Sequence, residues 1–296
     1  MPDVTRLPAA EPAGRIGIVH LGLGAFHRAH QAVYLERYRQ RSGDATWGVS
    51  SANLRGGVAL VDALRNAGYH YHVAEYADRD HVTLRAIGVI EEALFSGRDD
   101  GDQWGRNLEA LLTRMASPET RLVTLTVTEK GYFLNPSDGR LLRDDPLIAH
   151  DIDHPHSPRT APGILVEALA RRREAGTPAF TVLCCDNMPD NGRRTRAAVV
   201  QLAACRDAEL AEWIKREVAF PCSMVDRIVP AMTADDHVRL AELGVDDPNA
   251  VVGEAFSQWV VEDDFPLGRP AWEAEGVEMV ADVAPFETMK LRMLNG

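Results

Sequence analysis

Cysteine is scarce in this chain: Cys184, Cys185, Cys205 and Cys222 are the only four among 296 residues. They make no pair of pairs at zinc-ribbon spacing, and so few cannot staple a disulfide scaffold. Cys184 and Cys185 lie in an apolar run and read as buried free thiols in a reducing cytoplasm. Long apolar stretches are missing as well. No window approaches the roughly 18 residues that a membrane span requires, so no membrane partner is expected. The opening residues, Met1 to Gly14, are rich in proline and alanine. They have no apolar core of the signal-peptide kind and read as a flexible lead-in. Positive charge is in deficit, with 32 Lys and Arg against 44 Asp and Glu, a net charge of −12. Phosphate backbones call for a basic footprint, so nucleic acid is not an expected partner.

The 45% of hydrophobic residues can bury a globular core, and the length suits one large α/β domain or two modest ones. Apolar runs alternate with helical patterns. Strands are expected at Arg15–Leu21, Trp47–Ser51, Leu122–Thr128 and Phe180–Cys185, with an antiparallel pair at Tyr69–Glu75 and Val82–Ile90. Helices are expected at Val58–Asn66, Trp104–Met115, Ile164–Glu174 and Arg193–Cys205, and Asp144–Pro162 reads as a long loop. Strands alternating with helices of ten or more residues predict an α/β fold with a Rossmann-like, doubly wound, mostly parallel sheet. Near Ala284–Pro285 the style changes to a helical pattern that runs to Gly296, with Pro285 suited to a first helical position.

The first strand runs into Gly22-Leu23-Gly24-Ala25-Phe26-His27-Arg28. A strand feeding G-x-G at a helix start is the dinucleotide-binding arrangement. The first glycine permits the tight turn, the second lets a pyrophosphate approach the backbone, and the helix start supplies free N–H groups. His27 stands where the third glycine is usual. The acidic residue expected at the end of the second strand, to bind ribose hydroxyls, is missing from Ser50-Ser51-Ala52-Asn53-Leu54-Arg55-Gly56-Gly57. Arg55 is a candidate for facing a 2′-phosphate, or else a solvated loop arginine, so NAD and NADP both stay open.

The run Ile18 to Gln31 resembles the opening signature of the mannitol dehydrogenase family, the polyol-specific long-chain dehydrogenases that include fructuronate reductase and mannitol 2-dehydrogenase. Similar motifs follow in the family's order: Thr126–Tyr132, Cys185–Gly192, Phe220–Pro230, Gln258–Asp263, Gly268–Trp272 and Lys290–Gly296. They span almost the whole chain. The resemblance implies metal-independent, NAD(P)-dependent interconversion of a secondary alcohol and a ketone on a linear C6 sugar acid or polyol. Glu129–Tyr132, Met224–Ala231 and Lys290–Gly296 look closest to the fructuronate reductase branch, which favours D-mannonate/D-fructuronate over mannitol/fructose. It further implies Lys290 as general acid/base, Asn187 and Asn295 as polarisers of the reacting oxygen, and Glu287 on the proton route. Gly22, Gly24, Ala25, Phe26, His27 and Arg28 would cradle the pyrophosphate. Thr128 and Glu129 would line the cofactor cleft, and Asp226 would lie near the nicotinamide. The chemistry suits these residue types, because hydride transfer needs a proton-exchanging group and donors to a developing alkoxide.

The family motif continues to a histidine two residues beyond Gly296 and then into a helical domain. The expected organisation is therefore a lead-in over 1–14, a dinucleotide-binding domain over 15–283, and over 284–296 the first helix of a truncated substrate domain. A cofactor-binding domain inactive in isolation is the rival expectation. His150, His154 and His156, with Asp151 and Asp153, cluster in sequence but lack the ligand arrangement of a catalytic zinc, and no metal is expected. A cytoplasmic monomer or weak oligomer completes the reading.

Overall fold

The computed structural model describes residues 3–99 and 103–294, with 291–294 described by backbone alone. Along the chain come strand β1 (Asp3–Leu7), β2 (Ile16–Leu21), helices α1 (Ala25–Ala29) and α2 (Gln31–Ser42), β3 (Gly48–Asn53), α3 (Val58–Asn66), β4 (Tyr71–Tyr76), β5 (His81–Ile87) and β6 (Ile90–Phe95). After α4 (Leu108–Ala116) and β7 (Leu122–Leu125) follow a 3-10 turn (Glu129–Tyr132), α5 (Pro146–Asp153), α6 (Ala161–Glu174) and β8 (Thr181–Cys184). Helices α7 (Asn191–Arg206) and α8 (Ala208–Glu217) lead to β9 (Ser223–Asp226), α9 (Ala234–Glu242), β10 (Val251–Glu254), β11 (Gln258–Glu262), β12 (Glu278–Val280) and α10 (Ala284–Leu294).

Five of these strands form the wholly parallel Rossmann-like sheet, in the order β6-β3-β2-β7-β8. Every residue of the central β2 is buried, as a strand covered on both faces requires. Successive side chains of a strand take opposite faces. Val19, Leu21, Val123, Leu125, Val182 and Cys184 accordingly pack with α4, α6, α7 and α8. Ile18, Leu122, Leu183 and Cys185 pack with α1, α2, Trp259 and Trp272 on the other. Two smaller sheets, β1-β5-β4-β10 and β12-β11-β9, complete the fold.

Three expectations are corrected. The stretch 1–14 is not a free lead-in over its described part: Asp3–Leu7 is a strand paired in parallel with β5. Its continuation is held by buried polar groups. The Glu36 carboxylate accepts from the Ala10 amide, Arg39 donates to the Glu11 carbonyl, and the Ala13 amide donates to Glu91. Composition missed it because the partners are distant in sequence. Asp144–Pro162 is not all loop either. Asp145 caps α5, accepting from the Leu147 amide at 2.9 Å, with Pro146 in the first turn, a helix start written in local sequence. Within α5, Asp151 then fixes the following segment by accepting from the Arg159 and Thr160 amides (2.7 and 3.0 Å). The expected Val82–Ile90 strand is broken at Gly88, where β5 leaves one sheet and β6 enters another.

Candidate active site

The β2 exit makes the floor of the site. Gly22 has φ +115, and a Cβ there would stand 2.1 Å from the Thr126 carbonyl oxygen, because β7 exits directly beside it. Only glycine meets both demands. Gly24 differs: a Cβ would meet nothing within 4 Å, so the backbone lies bare toward the hollow in front of it.

Beneath this turn His20 Nε2 donates to the Gly22 carbonyl (3.0 Å), and its Nδ1 lies 2.7 Å from the Thr124 hydroxyl. Burial pushes its pKa down to about 3. The His27 ring stacks on it at 3.4 Å between centroids, and burial, with His20 alongside, holds His27 far below the usual imidazole range. Arg28 is likewise buried, donating to the Asn249 carbonyl at 2.5 Å with its guanidinium 5.5 Å from the Tyr71 ring centre. The side chains of the expected Gly22–Arg28 cradle therefore divide between cleft and core. Gly22, Gly24, Ala25 and Phe26 line the cleft, whereas the His27 and Arg28 side chains are core. Helical periodicity turns them inward, since successive positions advance by about 100°.

The β7 exit supplies the wall. Thr128, at φ 67, is held because the Asp186 carboxylate accepts from the Val127 and Thr128 amides (3.0 and 2.9 Å) and from the Tyr132 hydroxyl (2.6 Å). Burial raises the Asp186 pKa. Glu129 is more exposed and pairs with Arg194 at 3.0 Å.

The β8 exit carries Asn187. Asn191, wholly buried, sets this turn: its Nδ2 faces the carbonyls of Cys184, Asp186 and Ser223 at 3.2, 3.0 and 2.8 Å, and its Oδ1 accepts from the Ser223 amide at 2.9 Å. One side chain thereby locks the end of β8 to β9. From α10, Lys290 reaches across the same point. Its Nζ donates to the Val225 carbonyl (2.8 Å) and to Asn187 Oδ1 (3.3 Å), and lies 3.2 Å from Asp226 Oδ1. One turn earlier Glu287 accepts from the Asp190 amide at 3.2 Å, and burial raises its carboxyl pKa.

Three hollows join along the C-terminal ends of the parallel strands. The first is bordered by Asn53, Arg55, Phe133 and Arg159, the second by Gly24, Phe26 and Glu129, the third by Met188, Glu287 and Lys290. Thr126 and Thr128 border the first two, and Asp186 and Asn187 the last two, so they form one elongated cleft. This is where ligands settle on open α/β sheets. The fold gathers Gly22, Gly24, Ala25, Phe26, Thr128, Glu129, Asn187, Glu287, Lys290 and Asp226 along it, while Asn295 lies outside the described residues. Asp186 and Asn191 were not singled out by sequence reasoning. Both lie in the Cys185–Gly192 motif, but a positioning role shows only once the strands they bind are neighbours. Among the described residues no group of three or more His, Cys, Asp or Glu converges as a metal-holding set, and no helix is long and apolar enough to cross a membrane.

Comparison with known proteins gives the following. The family model described as the mannitol dehydrogenase Rossmann domain matches residues 16–274. An Escherichia coli (strain K12) oxidoreductase, YdfI, is 49% identical over 280 residues, 94% of this chain and 56% of the relative. The D-mannonate oxidoreductase of the same organism is 47% identical over 300 residues, 99% of this chain and 60% of the relative. The solved ternary complex of Pseudomonas fluorescens mannitol 2-dehydrogenase with NAD and D-mannitol superposes with a TM-score of 0.89 at 42% identity, over 98% of this chain and 58% of that one. The chain therefore spans somewhat more than half the length of the relatives it matches.

Proposed function

The chain belongs to the mannitol dehydrogenase family, and from that membership and the cleft we propose that it is the dinucleotide-binding part of an NAD(P)-dependent oxidoreductase. The reaction is the interconversion of a secondary alcohol and a ketone on a linear C6 sugar acid or polyol. The observation that carries the reading is Lys290 Nζ within 3.3 Å of Asn187 Oδ1, at the end of a cleft whose other stretch passes the bare backbone of Gly24. That bare backbone fits a pyrophosphate, because an added Cβ would project into the space it needs. A nicotinamide adenine dinucleotide is the proposed cofactor, NAD being the one held in the mannitol 2-dehydrogenase complex and NADP the alternative. When bound, its nicotinamide gives or takes the hydride.

Lys290 handles the proton, donating from Nζ to the ketone oxygen in reduction and taking the hydroxyl proton in oxidation. Asn187 accepts from Lys290 through Oδ1, which leaves its Nδ2 to donate to the reacting oxygen; Asn295 is assigned the second such contact. Asp226 and the Val225 carbonyl aim the ammonium. Glu287, one turn before Lys290 and with its carboxyl pKa raised by burial, is assigned the relay between Lys290 and solvent. D-Mannonate/D-fructuronate is the proposed pair, supported by the 47% identity to D-mannonate oxidoreductase against 42% to mannitol 2-dehydrogenase; mannitol/fructose is the second reading. The proposed organisation places the dinucleotide-binding domain over 15–283 and starts a helical substrate domain at α10, in a cytoplasmic monomer or weak oligomer.

The test uses a longer protein that carries the remaining length of the relatives. It should reduce D-fructuronate with a higher kcat/KM than D-fructose. Lys290→Ala should lower kcat by about 10²-fold or more, the scale of a general acid/base, with cofactor affinity nearly unchanged. A near-normal kcat across pH 6 to 10 would reject the mechanism.

A further inference from the structure

Resting on the dinucleotide reading of the cleft, we infer that its outer hollow accepts a 2′-phosphorylated adenosine, with Arg55 and Arg159 holding the phosphate, so that NADPH binds at least as tightly as NADH. The hollow lies at the ends of β3 and β7 and is floored by Gly22. In this architecture the end of the second strand meets the adenosine ribose. A carboxylate there binds the 2′-hydroxyl, and an arginine there accommodates a 2′-phosphate. Here β3 ends at Asn53 and Leu54-Arg55-Gly56 follow, and the described residues around the hollow include two arginines and no Asp or Glu.

Both guanidiniums are prepared for an anion. Arg55 lies over the Phe133 ring at 5.3 Å from its centre, and Arg159 over Trp104 at 4.8 Å. Stacking engages the face of a guanidinium and leaves its in-plane N–H fork free for a phosphate. Among the described residues neither side chain forms an ion pair, their contacts being these two rings. The nearby carboxylates are committed elsewhere: Asp151 accepts the Arg159 and Thr160 amides and the Thr160 hydroxyl, and Glu129 pairs with Arg194. Phe133, at φ 54 just past the 3-10 turn, is itself fixed by backbone geometry. Arg159 stands one residue ahead of Thr160, the N-cap of the fourteen-residue α6, whose positive end adds to the local potential. Among the described residues neither charge has a counter-ion, and a phosphate monoester on the ribose supplies one.

Direct titration of the protein with NADH and NADPH, read by nicotinamide fluorescence at low salt, tests this. NADPH should show a Kd equal to or below that of NADH. Arg55→Ala and Arg159→Ala should each raise the NADPH Kd by about tenfold or more, the loss of one charge-assisted contact, and move the NADH Kd less than about threefold. Gly56→Asp gives an independent variant. A Cβ at Gly56 meets nothing within 4 Å, so the side chain is tolerated while its charge should weaken NADPH about tenfold and spare NADH. Tight NADH with NADPH more than about tenfold weaker overturns the inference and leaves the dinucleotide site standing. So does an equal effect of the arginine variants on both. Failure of the folded wild-type protein to bind either one overturns both.

Discussion

Acid should weaken this fold from within, beginning below the pH at which a free imidazole takes up its proton. His20 and His30 are buried, and burial lowers the pKa of each from 6.5 to about 3. His30 is neutral in the folded state, donating from Nε2 to the Gln258 carbonyl at 2.9 Å between Phe26 and Trp259. Between pH 6.5 and 3 the unfolded chain binds a proton at each position that the folded chain refuses. Stability therefore falls as pH drops below 6.5, and the loss is complete near pH 3. At pH 5 the gap amounts to about 1.5 pK units, or about 2 kcal/mol per histidine at 1.36 kcal/mol per unit, so about 4 kcal/mol for the two. That is a large share of a typical net stability of about 5–15 kcal/mol. Glu36, Asp151 and Asp186, held above the ordinary carboxyl range by burial, act in the opposite direction, so the decisive quantity is a difference between two proteins. Urea unfolding at pH 7, 6 and 5, followed by far-ultraviolet circular dichroism, would compare the wild type with His30→Gln. The substitution costs stability at every pH through lost ring packing, but it removes one titrating group. Its loss between pH 7 and 5 should be smaller than that of the wild type by about 2 kcal/mol. Parallel pH profiles, with a difference under about 0.5 kcal/mol, would refute the assignment of a neutral buried imidazole.

Gly24→Val should abolish dinucleotide binding in a protein that still folds, because its side chain enters the open hollow rather than the core; unchanged affinity by fluorescence titration would sink that placement. Arg172→Leu should destabilise by about 3 kcal/mol or more. The wholly buried guanidinium donates to the Pro178, Met115, Ser117 and Thr120 carbonyls at 2.6 to 2.9 Å, and its removal strands four acceptors; a urea midpoint within error of wild type would contradict this. With the proton step assigned to Lys290, activity of the longer protein should survive exhaustive EDTA treatment, and loss of turnover restored by zinc would reject that assignment.

Much of the site was legible locally. The strand-G-x-G-helix order, the apolar runs of β2, β3, β7 and β8, and the Val58–Asn66 helix follow from side-chain period and glycine placement, which are properties of neighbouring residues. The same local signals place Asn187 at a strand end and Lys290 on a helix. They could not bring the two together, because 103 residues separate them and the meeting depends on α10 crossing the ends of β8 and β9. The inward turn of His27 and Arg28, the pairing of Asp3–Leu7 with β5, and the locking of β8 to β9 by Asn191 are decided in the same way. A motif sets which chemical groups are present and how the nearby backbone turns. Which of those groups face a cleft and which are buried in the core depends on desolvation and on partners that only the assembled sheets supply.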